Sequence, residues 1–204
     1  YIDFLDKIGD LKRISTEVDP ELEISEISSK TIEDNGPALL FENVKGSSFP
    51  VATNLFGSEE RLRVSLGCNP KELGEEILSF AEKAMPPKLD NLFKSFPFIK
   101  RLTNFRSKEQ AFNSPCQQIQ DEITLEDLPI IKCWPEDGGK FITMGLTITE
   151  SPISKKPNMG MYRLQMHDKE RLGMHWHPHK GGATHYHEAR QLGQDFPAAI
   201  VLGG

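Results

Sequence analysis

The sequence predicts an α+β fold, with a small N-terminal α/β unit, a proline-punctuated connector, and then a run of antiparallel strands of barrel type. Three observations carry this reading. Helix-type and strand-type apolar spacings alternate from Ile2 to Phe80. The strictest strand pattern runs from Phe141 to Glu150, with Ile142, Met144, Leu146 and Ile148 expected on one face and Thr143, Gly145, Thr147 and Thr149 on the other. Short polar loops, not helices, separate that pattern from the next two, which is how antiparallel neighbours are joined.

Taken in order, Ile2, Leu5 and Ile8 mark a short amphipathic helix closed near Gly9, and Leu11 to Val18 alternates as a strand. Asp19 is expected to cap a second helix with Pro20 at its first position, and Leu22, Ile24 and Ile27 then face inward. Gly36-Pro37 ends that helix, Ala38 to Phe41 reads as a buried strand, and Phe49 to Leu55 returns after a turn at Lys45-Gly46. Asn69-Pro-Lys-Glu72 combines an N-cap, a first-turn proline and a capping-box glutamate ahead of Leu73, Ile77 and Phe80. Residues 85 to 115 read as a connector with one short helix around Asn91 to Ser95. Thr124 to Asp127 is a capped turn, and Cys133 to Gly139 a loop before the strand at Phe141. Asn158 to Met166 follows as a strand with room for a bulge at Met161-Tyr162. Arg171 to His177 is the next strand, Gly181-Gly182 a loop, His185 to Leu192 a helix, and Ala198 to Leu202 a last strand. The division this implies is residues 1–114 for the α/β unit with its connector and 115–204 for the sheet.

Composition excludes some classes of function. The net charge of −6, with no Lys/Arg run, argues against a general nucleic-acid binder. No apolar run approaches the roughly 18 residues of a membrane-spanning helix. Cys68, Cys116 and Cys133 are far apart, odd in number and free of metal-type spacing, so reduced thiols and a cytoplasmic setting are expected, with at most peripheral membrane contact. The chain opens on Tyr1 and stops on Gly204 just after a strand pattern, and both ends are expected to be cut.

The chemistry concentrates in one region. All six histidines lie between His167 and His187, beside Asn158, Arg163, Lys180 and the glycines at 181 and 182. Arg163 offers a two-pronged fork for phosphate or carboxylate, and Lys180 a point charge. The Gly181-Gly182 backbone is expected to adapt to an anion, and the Asn158 carbonyl suits a hard cation. A His-x-His pair on a strand edge is otherwise simply solvated, Trp176 fits a core position, and Arg163 fits a surface ion pair. Residue types and spacing alone stop at an anion and metal site on a barrel-type sheet.

Several ordered motifs go further. Pro37-Ala-Leu-Leu-Phe-Glu-Asn43, Asn54-Leu-Phe-Gly57, Pro115-Cys-Gln-Gln118, Cys133-Trp-Pro-Glu-Asp137, Gly145-Leu-Thr147, Asn158-Met-Gly-Met-Tyr-Arg163 and His179-Lys-Gly-Gly182 together resemble the UbiD decarboxylases. The resemblance is to the 3-polyprenyl-4-hydroxybenzoate carboxy-lyase type in particular, over its N-terminal portion. It implies reversible, non-oxidative decarboxylation of an aromatic or α,β-unsaturated acid, such as a polyprenylated hydroxybenzoate in ubiquinone or related quinone biosynthesis. The cofactors it implies are prenylated FMN, Mn²⁺ and usually K⁺. It implies that the sheet is the first part of a flavin-reductase-like antiparallel split β-barrel. A flavin prenyltransferase would supply the cofactor, and the assembly would be a homo-oligomer, dimer or hexamer.

Carried onto this sequence, the resemblance implies Asn158 as a metal ligand, with His175 a second candidate. Met161, Tyr162, Arg163, His175, Trp176, His177, Lys180 and Gly181 would line the cofactor, and Arg163 would be the catalytic arginine. Family relatives often carry arginine where His175 stands, and their metal-binding and catalytic carboxylates lie further downstream. The 204-residue piece alone is therefore expected to be catalytically silent. A flavin reductase on the same barrel and a non-catalytic assembly module are the competing readings. A zinc hydrolase on the histidine cluster is a further one, but the sequence shows no HExxH-like pattern for it.

Overall fold

A computed structural model describes residues 1–84 and 114–203. The chain forms two compact units, one of residues 2–54 with 123–204, the other of Tyr1 with residues 55–122. The architecture is mixed α+β with small sheets.

In the larger unit, helix α1 (Ile2–Lys7) buries Leu5 and hands over to strand β1 (Leu11–Ile14) through Gly9, whose φ of 79° suits a residue without a Cβ. Strand β2 (Ala38–Phe41) runs parallel to β1, and β3 (Val51–Thr53) antiparallel to β2. Parallel neighbours need a crossover, which helix α2 (Glu23–Glu33) supplies. All four residues of β2 are buried, and Leu39 and Phe41 join Val18, Ile24 and Val44 in the core that Ile131 also packs against.

Helix α2 starts three residues later than the Asp19-Pro20 pattern suggests. Asp19 Oδ1 accepts the Glu21 N–H at 2.9 Å, an Asx turn rather than a helix cap. The backbone that a longer helix would use is taken by residue 132: Leu22 N–H donates to the Lys132 carbonyl, and Lys132 N–H to the Pro20 carbonyl. This pairing ties the N-terminal sheet to the second half of the chain. Strands β1 and β3 are shorter than their expected spans. Val18 leaves the ladder and bridges Val44.

The later strands form two three-stranded sheets, both antiparallel. One has the order β4 (Phe141–Ile142), β7 (Leu164–Met166), β8 (Leu172–Met174). The other has the order β6 (Pro157–Met161), β5 (Leu146–Glu150), β9 (Ala198–Val201). The expected single strand from Phe141 to Glu150 breaks at residues 143–145, and the one from Asn158 to Met166 breaks at Tyr162-Arg163. Each break moves the chain from one sheet to the other. At the first, Gly145 sits where a Cβ would lie 3.0 Å from a Leu164 methyl and 3.2 Å from an Ile142 methyl. At this close crossing a side chain would force the neighbouring methyls to shift.

The break also reverses the expected facing. Thr147 and Thr149 are buried, whereas Ile148 is 39% exposed. Helix α5 (Gly181–Leu192) covers the hydroxyl face of β5. Thr149 Oγ1 shares a 3.1 Å hydrogen bond with His185 Nδ1, and Ser151 Oγ donates to Glu188. Helix α5 begins at Gly181, so the two glycines form its first turn, not a loop. It ends on Gly193 in the left-handed region (φ 64°), with the Gly193 and Gln194 N–H groups bonded to the last carbonyls.

The smaller unit contains α3 (Glu59–Leu66) and α4 (Pro70–Ala84). Helix α3 is capped by Ser58, whose hydroxyl accepts the Arg61 N–H, and closed by Gly67 at φ 66°. Both signals stand in the sequence, yet the charged run between them hides the helix from an apolar-spacing reading. Asn69 Oδ1 accepts the Lys71 N–H at the start of α4, as its motif predicts, although Ile77 is half exposed. The short helix expected around Asn91 to Ser95 lies outside the described residues.

The two threonines of β5 provide a test of this packing. Thr149→Val leaves a buried imidazole nitrogen unpaired and should cost about 1–3 kcal/mol in urea unfolding. Thr147 Oγ1 is buried without a partner among the described residues, so Thr147→Val should be neutral or stabilising.

Candidate functional site

The break between β6 and β7 turns Tyr162 into the interior and leaves Arg163 exposed. Beyond β8, the His175 N–H donates to the Arg163 carbonyl at 3.1 Å and holds the following segment beside that break. Lys180 N–H then donates to the His177 carbonyl, closing a turn before α5 begins. These three constraints bring Met161, Tyr162, Arg163, His175, His177 and Lys180 around one cavity of about 360 Å³. Among the described residues no carboxylate lines it. Neither Arg163 nor Lys180 forms an ion pair with another described residue, so both cations remain available to an anion. The His175 and His177 rings meet edge to face at 4.8 Å. Arg163 lies over the Phe141 ring, 5.1 Å from its centre. An oxyanion entering this cavity would meet a guanidinium fork, an ammonium and the partial positive charge of the α5 N-terminus.

The back of the site is closely packed. Gly182 N–H donates to the Tyr162 hydroxyl oxygen at 3.1 Å, which satisfies one of the open donors in the first turn of α5. The Tyr162 and Trp176 rings meet edge to face at 4.8 Å, and Trp176 packs against Phe196 in turn. A Cβ on Gly182 would overlap Trp176 Cζ3, and one on Gly181 would overlap Asn158 Oδ1. Neither glycine has a positive φ. At both positions the missing Cβ provides clearance, and the expected loop is instead the first turn of α5.

Six of the residues singled out from the sequence thus share one cavity wall. Trp176 and Gly181 stand behind it, as part of the docking of α5. Asn158 is not among the lining residues; its Oδ1 faces Gly181 and its Nδ2 is buried without a partner among the described residues. The six-histidine cluster disperses. His185 turns to Thr149, His167 lies against Gly173, and His187 packs on Tyr186. Among the described residues no three His, Cys, Asp or Glu side chains converge into a metal-holding group. Phe141 was missed in the sequence because its relation to Arg163 is diagonal across strands: its direct partner is Gln165.

A larger cavity, about 510 Å³, lies against α2 and includes Glu21, Glu23, Glu26, Cys133 and Trp134. Burial, with the nearby Asp137 charge, pushes the Cys133 thiol up, which keeps it in its unreactive protonated form at neutral pH. Its glutamates already take part in local contacts: Glu21 with Lys132, Glu23 with the Asp19 N–H and Glu26 with Lys30. The smaller, cation-lined cavity is the one equipped for ligand chemistry.

Two family models match the chain. Residues 2–81 match the 3-octaprenyl-4-hydroxybenzoate carboxy-lyase N-terminal domain (UbiD_N), and residues 107–204 match the 3-octaprenyl-4-hydroxybenzoate carboxy-lyase Rift-related domain (UbiD). Among solved structures, the chain is similar to the UbiD-class enzyme HmfF from Pelotomaculum thermopropionicum in complex with FMN. The identity is 27% and the TM-score 0.76, over 98% of this chain and 41% of that one. An evolved dimeric form of HmfF in complex with prFMN matches at 26% identity and TM-score 0.75, over 98% and 42%. Vanillic acid decarboxylase from Sedimentibacter hydroxybenzoicus, in closed form, matches at 25% identity and TM-score 0.77, over 100% and 42%. The chain therefore spans about two fifths of the length of these relatives.

Clearance at Gly182 yields a test. Alanine is the better helix former, by about 1 kcal/mol in a helix interior. If the Trp176 contact governs the position, Gly182→Ala should nonetheless lose about 1–3 kcal/mol and shift the tryptophan emission. Stability equal to or above that of the parent would show that α5 can move away without cost.

Proposed function

The chain belongs to the UbiD carboxy-lyase family, and on that premise we propose that it is part of a decarboxylase that uses prenylated FMN to act on an aromatic or α,β-unsaturated acid. The observation that carries this reading is the cavity at the break after β6, where two cations and two imidazoles converge with no acidic partner among the described residues. That donor set fits the phosphate of a flavin nucleotide and the carboxylate of a substrate. The HmfF structures with FMN and prFMN support the choice of flavin.

The roles follow from chemistry. Lys180, at the start of α5, takes the phosphate as a point charge, joined there by the helix N-terminus. Arg163 can hold a carboxylate through two N–H donors, fixing the orientation of the scissile bond. His175 and His177 add donors along the same wall, and Met161 offers an apolar contact. Tyr162, Trp176 and Gly181 hold the first turn of α5, and Lys180 with it, at a fixed distance from Arg163. The flavin, when bound, supplies the electron sink for the bonding pair left behind as carbon dioxide departs.

The metal fits in part. The buried Asn158 amide has an unpartnered group, and a half-turn about its last torsion would present the oxygen in that place to a hard cation such as Mn²⁺. His175 is the second ligand in this reading, with carboxylate ligands supplied by the rest of the protein and K⁺ accompanying the phosphate. The two antiparallel sheets form the first part of a flavin-reductase-like split barrel, residues 115–204, after the α/β domain at 1–114; the separate matches to residues 2–81 and 107–204 support that division. The protein assembles as a homo-oligomer, and a flavin prenyltransferase delivers its cofactor. It works in the cytoplasm, with at most peripheral membrane contact. No helix among the described residues is long and apolar enough to cross a membrane.

The substrate is proposed to be a 3-polyprenyl-4-hydroxybenzoate, as the names of the matching family models suggest. The whole protein, co-expressed with a flavin prenyltransferase, should release carbon dioxide from that acid faster than from vanillate. Arg163→Lys should keep the fold but lose about 2–4 kcal/mol of transition-state stabilisation, the size seen when a preorganised donor is removed. Near-parental turnover in Arg163→Lys would overturn the role of the arginine. A clear preference for vanillate would overturn the prenylated substrate while leaving the reaction class intact.

A further inference from the structure

An arginine that presents both prongs of its fork to a ligand can be held by a contact that uses none of its N–H donors. An acidic partner takes up some of the five guanidinium N–H donors. An aromatic ring attracts the cation through its face and leaves the in-plane donors available. Arg163 has that arrangement: its guanidinium lies over Phe141, 5.1 Å from the ring centre, and pairs with no carboxylate among the described residues.

Both ends of the contact are fixed through the backbone. Phe141 N–H donates to the Ile131 carbonyl at 2.9 Å, and the next residue, Ile142, is buried in the core with Ile130 and Leu164. Across the β4–β7 ladder, Phe141 faces Gln165, whose side-chain amide donates to the Gly138 carbonyl at 2.9 Å. Arg163 stands two residues before Gln165, which puts it diagonally opposite Phe141, within reach of a long side chain. The Arg163 carbonyl in turn accepts the His175 N–H. The backbones that carry the ring and the guanidinium are therefore held by separate hydrogen bonds, and their contact does not require a ligand.

We propose that Phe141 is a positioning residue for the oxyanion site: its ring holds the Arg163 guanidinium in place and leaves its N–H donors free for a carboxylate or phosphate. This rests on the reading of Arg163 as an oxyanion ligand. It adds a residue outside the cavity wall whose contribution passes entirely through the arginine.

A double-mutant cycle on the whole protein tests it, with benzoate as the carboxylate probe and inorganic phosphate as the phosphate probe. Phe141→Tyr, which keeps the ring face, should bind both probes as the parent does. Phe141→Leu should weaken at least one of them roughly two- to five-fold, the size of an exposed to partly exposed cation–π contact. The probe affected tells which oxyanion Arg163 holds. Combined with Arg163→Met, the leucine should cost nothing further. Unchanged binding in Phe141→Leu would overturn the proposal, and so would an equal loss on top of Arg163→Met, which a merely structural role predicts. Phe141→Met replaces the leucine variant if that one does not fold. The underlying reading is checked separately by Arg163→Met alone: unaltered binding of both probes there would refute the arginine as an oxyanion ligand, whatever the phenylalanine does.

Discussion

The site depends on how closely helix α5 approaches the strand break at Tyr162-Arg163. The first turn of α5 lies against Asn158 on one side and the Tyr162–Trp176 pair on the other, with only hydrogen atoms on Gly181 and Gly182 between them. A hydrogen bond from Gly182 N–H to the tyrosine oxygen fixes that approach at 3.1 Å. Lys180 therefore starts the helix within the same cavity as Arg163. Away from that contact, the hydroxyl face of β5 anchors the helix through His185 and Glu188. Interiors packed at crystal-like density transmit even a one-methyl change, so the distance between the two cations is set by side chains that need not touch a ligand.

Much of this could be read in the sequence, for identifiable reasons. The buried strand at Ala38–Phe41, the cap at Asn69 and the turn at Thr124–Asp127 follow from local chemistry, and each lies where its residues direct it. The six residues around the cavity come from a compact segment, Met161 to Lys180, so sequence proximity already placed them near one another. The strand facing did not follow. Alternation over Phe141–Glu150 assumes one continuous strand, and the break before Leu146 resets which face is covered. Helix α5 then covers the threonines, whose hydroxyls it can satisfy, and leaves Ile148 half in water. In the same way Pro20–Leu22 gave up helix to pair with residue 132, a partner that no local pattern reveals. The histidines clustered along the chain but not in space, because α5 carries His185 and His187 away from the cavity.

The charge of the site matters more than the histidine count. A chain with a net charge of −6 has placed Arg163 and Lys180 at one cavity with no carboxylate among its described lining residues. In water, exposed cations readily take acidic partners of small energetic value. Arg13, Arg63 and Arg171 each do so here. The cavity cations do not, among the described residues, and one of them rests on an aromatic ring instead. An arrangement of this kind keeps its hydrogen-bonding capacity for an incoming anion.

The function of the site turns on whether that charge is used for a flavin phosphate. The direct measurement compares the affinity of the whole protein for FMN and for riboflavin, which differ by the phosphate alone, across a range of salt concentrations. FMN should bind at least tenfold more tightly, on the order of 1.4 kcal/mol or more, and the advantage should shrink as salt rises and should fall sharply in Lys180→Met. Equal affinities for the two flavins, or a phosphate preference untouched by salt and by the loss of Lys180, would contradict the account.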